Sequence, residues 1–531
     1  MTPVEAMLEI LRGEGVDRIF GNPGTTELAL LDALAGAPDL PYVLAAQELS
    51  AVAMADGYAR ATRRTAFVNL HVAAGLANGL IGMLNAKRSR VPLVVTAGQQ
   101  DRRHLLEDPM LAGDLVGLAA AASKLAVEVQ HGRDLPIVLR RAFALAARPP
   151  AGPVFVSIPM DLLREETDVD VPARSPLTPL GPATGLDEAA RILAAAAHPA
   201  VVAGDGVGRD GAVAELVTLA ERLGAAVYHQ PMHDRMNFPF THPLHAGMPA
   251  PRNAAVREAL GPHDVVLVVG SHAFSPHHYT PEPPIPPGTT VVQLDDDPAE
   301  LGRNFPVALG LTGGIRATLA ELAGRVPAHP ARQATTRPRA RPSAGTAPLA
   351  PEVAAQTIAE ALPPDAVLVD EAITIGVLLR PLLRLDRPDS FVHTAGGGLG
   401  WGIGAAVGSR LGAPDRPVVA VLGDGCAMFG LQGLWSAARY RVPVTFLVMN
   451  NGEYRTLKET LAESGSPGPH PGLDLALPGA PRLDWRHAAR FFGVPGRRVE
   501  SSEDLREVVA GAGALDGPLL VDVPIRNRKG S

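Results

Sequence analysis

Between residue 16 and about residue 160, short β-branched runs alternate with longer Ala-rich stretches; the runs are VDRIFG, PYVLAA, TAFVNLH, VPLVVTAG and PVFVSIP. Apolar runs of this length separated by helical stretches are the rhythm of βαβ units and a parallel sheet. Residues 161–184 then turn acidic and Pro-rich, as a connector does. A second series follows, PAVVAG, AAVYH, DVVLVVG and TTVVQLD, again with helical segments between the runs. Residues 326–351 carry abundant Pro, Arg, Thr and Ala without hydrophobic periodicity, so they cannot form a packed core and read as a surface linker. A third series, AVLVDE, PVVAVLGDG, VTFLVMNN and PLLVDVP, repeats the rhythm of the first. The pattern predicts three consecutive doubly wound α/β domains: 1–180, 185–325 and, after the 326–351 linker, 352–531.

The length of 531 residues agrees with three domains, each large enough to bury its own core. A single cysteine excludes a disulfide framework and a thiolate-rich zinc site, and points to a reducing cytoplasm. The net charge of −7 argues against nucleic acid as a partner. Glu5 and Glu9 interrupt the N-terminus where a signal peptide would be apolar, and no run of 18 uncharged apolar residues occurs, so neither export nor a membrane span is expected. Charged residues are only 19% against the usual value of about 25%, which points to surface buried between subunits.

Chemistry gathers beyond the carboxyl ends of strands in an open parallel sheet. In the third segment PVVAVL ends in Gly423-Asp424-Gly425, and VTFLVM ends in Asn450-Asn451-Gly452. The intervening Cys426–Met449 is long enough for one helix and one returning strand, so Asp424 and Asn451 are expected side by side at one sheet edge. A carboxylate and an amide oxygen there suit a hard octahedral cation. Mg²⁺ usually takes one or two protein oxygens plus waters and ligand phosphates, which implies a diphosphate cofactor. Asp-Gly and Asn-Gly are each also common turn pairs; their joint spacing at two strand ends is what carries the signal.

GDG followed by NN at this distance is similar to the signature of thiamine diphosphate enzymes. FGNPGTTE at 20–27, AAQE with ADGYAR at 44–60 and NLHVAAG at 69–75 look like the pyrimidine-binding domain of the pyruvate oxidase and decarboxylase branch. TAGQQ at 96–100 and AGGGLGWG at 395–402 extend the resemblance toward the benzoylformate decarboxylases. The resemblance implies pyrimidine-binding, central and diphosphate-binding domains in that order, with thiamine diphosphate and Mg²⁺ as cofactors. It implies that Glu48 hydrogen-bonds N1′ of the aminopyrimidine, with a raised pKa in a dry cleft. Leu399 would be the apolar wedge under the thiazolium. Asp424, the Asn451 side chain and the Glu453 carbonyl would hold the metal, with Thr374, Gly423, Gly425 and Cys426 near the diphosphate. His71 and His277 align with catalytic histidines, which suit the proton transfers that follow loss of CO₂. Thr25 keeps the hydroxyl of the family's serine and is expected to hold the substrate carboxylate.

His393 and Thr460 stand where the family has pocket phenylalanines, so a smaller or more polar 2-oxo acid is admissible, with Met110 and Leu111 still providing an apolar wall. The Gly-, Pro- and Ser-rich stretch 461–480 reads as a lid or an ordinary loop. The reaction implied is non-oxidative decarboxylation of a benzoylformate-like 2-oxo acid to an aldehyde. The alternatives are a carboligase of the acetolactate synthase type, joining the decarboxylated fragment to a second carbonyl compound, and a cofactor-binding protein without turnover. Pyrimidine and diphosphate sites on different domains imply a homodimer as the minimal unit, with a tetramer expected. Three features are set aside. Gly204, Gly206 and Gly208 have G-x-G-x-G spacing rather than the dinucleotide G-x-G-x-x-G, and no nucleotide is expected there. His229, His233, His242 and His245 read as solvated surface rather than a metal cluster. Cys426 reads as a buried residue rather than a nucleophile.

Overall fold

The computed structural model describes residues 1–272, 274–329, 344–466, 468–477 and 482–527. Three six-stranded sheets built on parallel strand pairings follow one another along the chain. The first sheet holds β1 (Ile19–Gly21), β2 (Tyr42–Leu44), β3 (Ala66–Leu70), β4 (Leu93–Gln99), β5 (Ala126–Glu128) and β6 (Val154–Pro159), in the order β2-β1-β3-β4-β6-β5. The second holds β7 (Pro199–Ala203), β8 (Ala226–His229), β9 (His245–Gly247), β10 (Val265–Val269), β11 (Thr290–Asp295) and β12 (Leu309–Thr312), in the order β12-β11-β10-β7-β8-β9. The third holds β13 (Val367–Glu371), β14 (Phe391–Val392), β15 (Val418–Gly423), β16 (Val444–Asn450), β17 (Gly496–Arg498) and β18 (Leu519–Pro524), in the order β14-β13-β15-β16-β18-β17. First and third therefore share one topology, which is the physical content of their shared hydrophobic rhythm. The central strands β3, β4, β13 and β16 are buried along their whole length and mostly apolar because helices cover both faces of a parallel sheet.

Two compact units emerge from the packing: one contains the first and third series, and the other the second series together with Arg380–Ala395. Within the first unit, helix α1 (Glu48–Thr62) packs along helix α3 (Gly402–Gly412), while α2 (Val72–Arg88) lies beside α1. Small residues permit the approach of α1 to α3. A Cβ at Gly408 would overlap the Met54 carbonyl, and one at Gly57 the Ala405 carbonyl. Inside this contact the buried Asp56 and Arg60 form an i, i+4 ion pair at 2.6 Å, and the guanidinium lies 5.5 Å over the Trp401 ring. Of the 326–351 linker, residues 330–343 lie outside the described residues; its end is not free, since Ala347 N–H donates to Glu500 and Leu349 N–H to Pro524.

In the second unit the glycines of the 204–208 turn serve close backbone packing: a Cβ at Gly204 would overlap the Gly270 carbonyl. Asp205 is buried there, accepts hydrogen bonds from Gln230, the Asp234 backbone and Asn237, and is pushed up to about 7 by burial and by Asp234. The histidine expectation is corrected here. His229 and His233 are fully buried rather than solvated, stacked 4.5 Å apart among Phe240 and Phe391, while His242 and His245 are half-buried. Polar residues in a loop-rich stretch suggested a wet surface, but Phe238, Phe240 and Phe391 supply an apolar enclosure that local composition did not show. One proton arrangement satisfies the group: His229 Nδ1–H donates to His245 Nε2 at 3.0 Å, His245 Nδ1–H donates to the Phe240 carbonyl at 3.1 Å, and His229 Nε2 accepts from Phe238 N–H at 3.3 Å. Both rings are then neutral. Among the described residues, no group of three or more His, Cys, Asp or Glu side chains is placed to hold a metal ion, and no helix is long and apolar enough to cross a membrane.

Candidate active site

In the first sheet the strand order reverses between β1 and β3, which are adjacent and parallel, with Gly21 opposite Asn69. Asn22 and His71 leave those two strand ends together, at the switch point where open α/β sheets bind ligands. Glu48 opens α1 just beyond β2 and is 7% exposed. Its two oxygens are held separately: Asn22 Nδ2 donates to Oε1 at 2.8 Å and Asn78 Nδ2 to Oε2 at 3.1 Å. Gly75 lies against the same carboxylate, where a Cβ would come within 3.2 Å of Oε1.

His71 caps the start of α2 and keeps 21% of its side chain exposed. Its Nδ1 faces Glu27 Oε2 at 2.8 Å and Thr26 Oγ1 at 3.2 Å. Glu27 is buried and also accepts from Gly24 N–H at 2.8 Å, Gly98 N–H at 2.9 Å and the Thr26 hydroxyl at 2.7 Å. A carboxylate surrounded by donors fixes the imidazole with its proton on Nδ1, so Nε2 is the nitrogen left for proton transfer. Thr25 is exposed in the same 3-10 turn, and its hydroxyl has no partner among the described residues.

The second group stands at the ends of β15 and β16, which pair with Gly423 opposite Met449. Asp424 and Asn451 therefore emerge side by side, as their spacing implied. Asp424 Oδ2 accepts from Gly452 N–H at 2.7 Å and Oδ1 from Gly425 N–H at 2.9 Å. Burial pushes the Asp424 carboxyl up to about 6 against these backbone donors. Asn451 Oδ1 accepts from Glu453 N–H at 3.0 Å, and the Glu453 carboxylate is held by Arg455 at 3.3 Å and by Lys458. Gly452 takes φ = +74°, which turns the chain tightly past Asp424. Residues 471–475 of the stretch read as a lid lie on this turn: Leu475 N–H donates to the Gly452 carbonyl at 2.8 Å and Tyr454 N–H to that of Leu473 at 2.8 Å. Residues 467 and 478–480 of that stretch lie outside the described residues.

Thr374, on the helix Ile373–Leu379, shares a 3.1 Å hydroxyl contact with Thr456. Leu399 is half-buried in the Gly-rich loop before α3. Cys426 is buried, and desolvation together with Glu371 and Asp424 raises its thiol far above the ordinary range, which leaves it inert as a nucleophile. Glu371, at the end of β13, accepts from Trp401 and Gly402 N–H at 2.9 Å each and is pushed up to about 8 by burial.

These residues form two groups in one chain, Glu48 with His71 and Asp424 with Asn451; among the described residues no hydrogen bond joins one to the other. His277 belongs to the second unit, where it is exposed on a loop with Nδ1 3.0 Å from His278 Nε2. His393 is buried in that unit with its ring 3.3 Å from Arg380, and Thr460 is exposed on the helix Arg455–Glu463. Met110 is 82% exposed and Leu111 38%. Glu27, Asn22 and Asn78 were not singled out from the sequence. Glu27 and Asn22 lie inside FGNPGTTE, and Asn78 follows His71 by seven residues, two turns of one helix face.

The donor set suits a hard divalent cation: Asp424 is a buried carboxyl that forms no ion pair among the described residues and stands beside the Asn451 amide oxygen, and a cation there would favour its ionised form.

Comparison with known proteins agrees with this geometry. Residues 1–116 match the N-terminal TPP binding domain of thiamine pyrophosphate enzymes, 186–322 the central domain and 375–523 the C-terminal TPP binding domain. The chain is 37% identical to a benzoylformate decarboxylase of Pseudomonas aeruginosa, covering 98% of each chain. It is 29% identical to an acetolactate synthase of Mycobacterium bovis, covering 98% of this chain and 88% of that one. The solved thiamine diphosphate-dependent 4-hydroxybenzoylformate decarboxylase of Rhodococcus jostii RHA1 superposes with a TM-score of 0.92 at 33% identity, covering 100% of both. Glu48 at one switch point, Asp424 and Asn451 beyond the third sheet, and all three domain matches in order place this chain in the thiamine diphosphate (thiamine pyrophosphate) enzyme family.

Proposed function

We propose that the chain is a thiamine diphosphate- and Mg²⁺-dependent decarboxylase that converts a benzoylformate-like 2-oxo acid to an aldehyde and CO₂ in the cytoplasm. The carrying observation is the buried Glu48 carboxylate, held by Asn22 and Asn78 beside a histidine whose Nε2 is left free. Decarboxylases at 37% and 33% identity over nearly the whole chain support the same reaction. When bound, thiamine diphosphate would supply an acidic C–H whose carbanion is the nucleophile, and an electron sink for the pair released with CO₂. Glu48 exchanges a proton with the aminopyrimidine from a site screened from water. His71, oriented by Glu27, moves protons through Nε2, and His277 is assigned the second transfer. The Thr25 hydroxyl holds the substrate carboxylate. Asp424, the Asn451 side chain and the Glu453 carbonyl hold Mg²⁺; Thr374, Gly423, Gly425 and Cys426 flank the diphosphate; Leu399 supports the thiazolium. The domains assigned to these roles are 1–180, 185–325 and 352–531.

No hydrogen bond among the described residues joins the two groups in one chain, and exposed apolar side chains flank both: Ile81 and Leu84 on α2, and Met428 and Phe429 after the GDG turn. A second copy of the chain is the occupant that covers these and completes each site, so a homodimer is the minimal active unit and a tetramer its pairing. Acetolactate synthase-type ligation is the second reading, favoured by the mycobacterial relative. A Glu48→Ala variant tests the assignment. It should still bind thiamine diphosphate and lose exchange of the C2 proton by proton NMR; unchanged exchange overturns the role of Glu48.

A further inference from the structure

Helix α2 carries polar residues at seven-residue intervals, His71 at its cap, Asn78 and Asn85. Seven residues are two turns less about 20°, so the three share one stripe at steps of about 10.5 Å. His71 meets Glu27 and Asn78 meets Glu48; Asn85, 1% exposed, meets neither. Its amide pairs instead with the peptide of Gly398: Nδ2 donates to the Gly398 carbonyl at 2.8 Å, and Gly398 N–H donates to Oδ1 at 3.0 Å. Only a carboxamide offers a donor and an acceptor in this arrangement; aspartate lacks the donor and leucine lacks both. The loop is pressed onto α2, for a Cβ at Gly396 would overlap the Asn85 amide and one at Gly398 would meet Ile81. On the other side of Leu399, Gly400 takes φ = +89° against Phe429.

We infer that Asn85 is a positioning residue that sets the loop bearing Leu399, and through it the apolar support assigned to the thiazolium. This rests on the reading of Leu399 given above. A buried amide with both halves satisfied is costly to truncate, because each partner on Gly398 is left without a bond. The stripe also explains why an asparagine stands in an otherwise apolar contact: α2 supports Glu48, the imidazole and this loop as one rigid rod.

Hydrogen exchange of the cofactor-free protein tests the hold directly, by mass spectrometry of a peptide spanning Gly396–Gly400 in wild type, Asn85→Ala and Asn85→Asp. The Gly398 amide should exchange about tenfold or more faster in Asn85→Ala, and less so in Asn85→Asp, which keeps the acceptor. Peptides around Asn22 and Glu48 should be unchanged. In the loaded enzyme Asn85→Ala should lower kcat by about tenfold with KM nearly constant, and Asn85→Asp should fall between. Unchanged exchange at the loop in both variants overturns the inference, as does faster exchange with unaltered kcat while Leu399→Ala is impaired. If Leu399→Ala itself keeps full kcat, the fault lies with the role given to Leu399, and the exchange result then decides the hold of Asn85 on its own. Should Asn85→Ala fail to fold, Asn85→Asp carries the same comparison.

Discussion

At the residue scale, the site rests on carboxylates and amides whose partners come from distant parts of the chain. Glu27 orients His71 from 44 positions away, and Asn22 holds Glu48 from 26 positions away. His71→Ala should lower kcat by about a hundredfold or more, the size of a lost general acid or base. Glu27→Gln should lower it in the same direction and by less, because the imidazole stays but loses the charged acceptor that fixes its tautomer; steady-state kinetics of both variants checks the order. An equal rate in Glu27→Gln and wild type would remove Glu27 from the mechanism. Glu48, Asp424 and Asn451 were legible in the sequence because motif and strand end coincide. Glu27, Asn22, Asn78 and Asn85 were not, since a hydrogen-bond acceptor inside a turn or a helix looks like any other polar residue until the fold supplies its partner. Thr25 is expected from motif position to hold the substrate carboxylate; the structure gives Thr26 the internal bonds to Glu27 and His71 and leaves Thr25 exposed.

At the scale of elements, the central strands and the edge strand β2 were visible as apolar runs and the other edge strands were not. β5, β9, β12, β14 and β17 read AVE, HAG, LGLT, FV and GRR, too short or too polar to carry a hydrophobic signal, because an edge strand has one open side. The contact of α1 with α3 depends on the absence of side chains. Gly408→Ala should destabilise the protein by about 1–3 kcal/mol or more, through the clash with the Met54 carbonyl, and lower its melting temperature; an unaltered melting temperature would show that the helices can separate without cost. The buried histidines of the second unit make a pH prediction. Burial first, then neighbouring positive charge and imidazoles, holds His229 and His233 well below the usual 6.5. The unfolded chain then binds protons that the folded one refuses, so the stability they contribute is complete above about pH 6.5 and declines below it, by about 1.4 kcal/mol per pH unit for each ring. Asp205, raised to about 7, acts in the opposite sense, its contribution being lost as pH rises toward and through that value. His233→Phe isolates the histidine part: His233 Nε2 has no hydrogen-bond partner among the described residues, and its ring stacks on His229 and tilts against Phe391, so phenylalanine fits. Thermal melts at pH 7.5 and 5.5 should show a smaller acid loss in the variant than in wild type, and equal losses would contradict the assignment.

At the scale of the whole molecule, the first and third sheets repeat one strand order, and each presents a switch point, one near Glu48 and the other near Asp424. The rhythm of the sequence foretold that repetition. It did not show that Arg380–Ala395 groups with the second unit, His393 included, because that grouping follows from tertiary contacts of Arg380, Phe391 and His393 rather than from any local pattern. The proposed homodimer is tested by its mass: light scattering should give at least twice the 55.3 kDa chain mass, and a monomer with full activity would contradict it. The central claim is the reaction, and it is tested most directly by measuring CO₂ and aldehyde release from benzoylformate and 4-hydroxybenzoylformate, with and without added thiamine diphosphate and Mg²⁺. The account predicts stoichiometric CO₂ and aldehyde that depend on both cofactors. Firm cofactor binding without release of either product from these acids, or ligated product in place of free aldehyde, would contradict it.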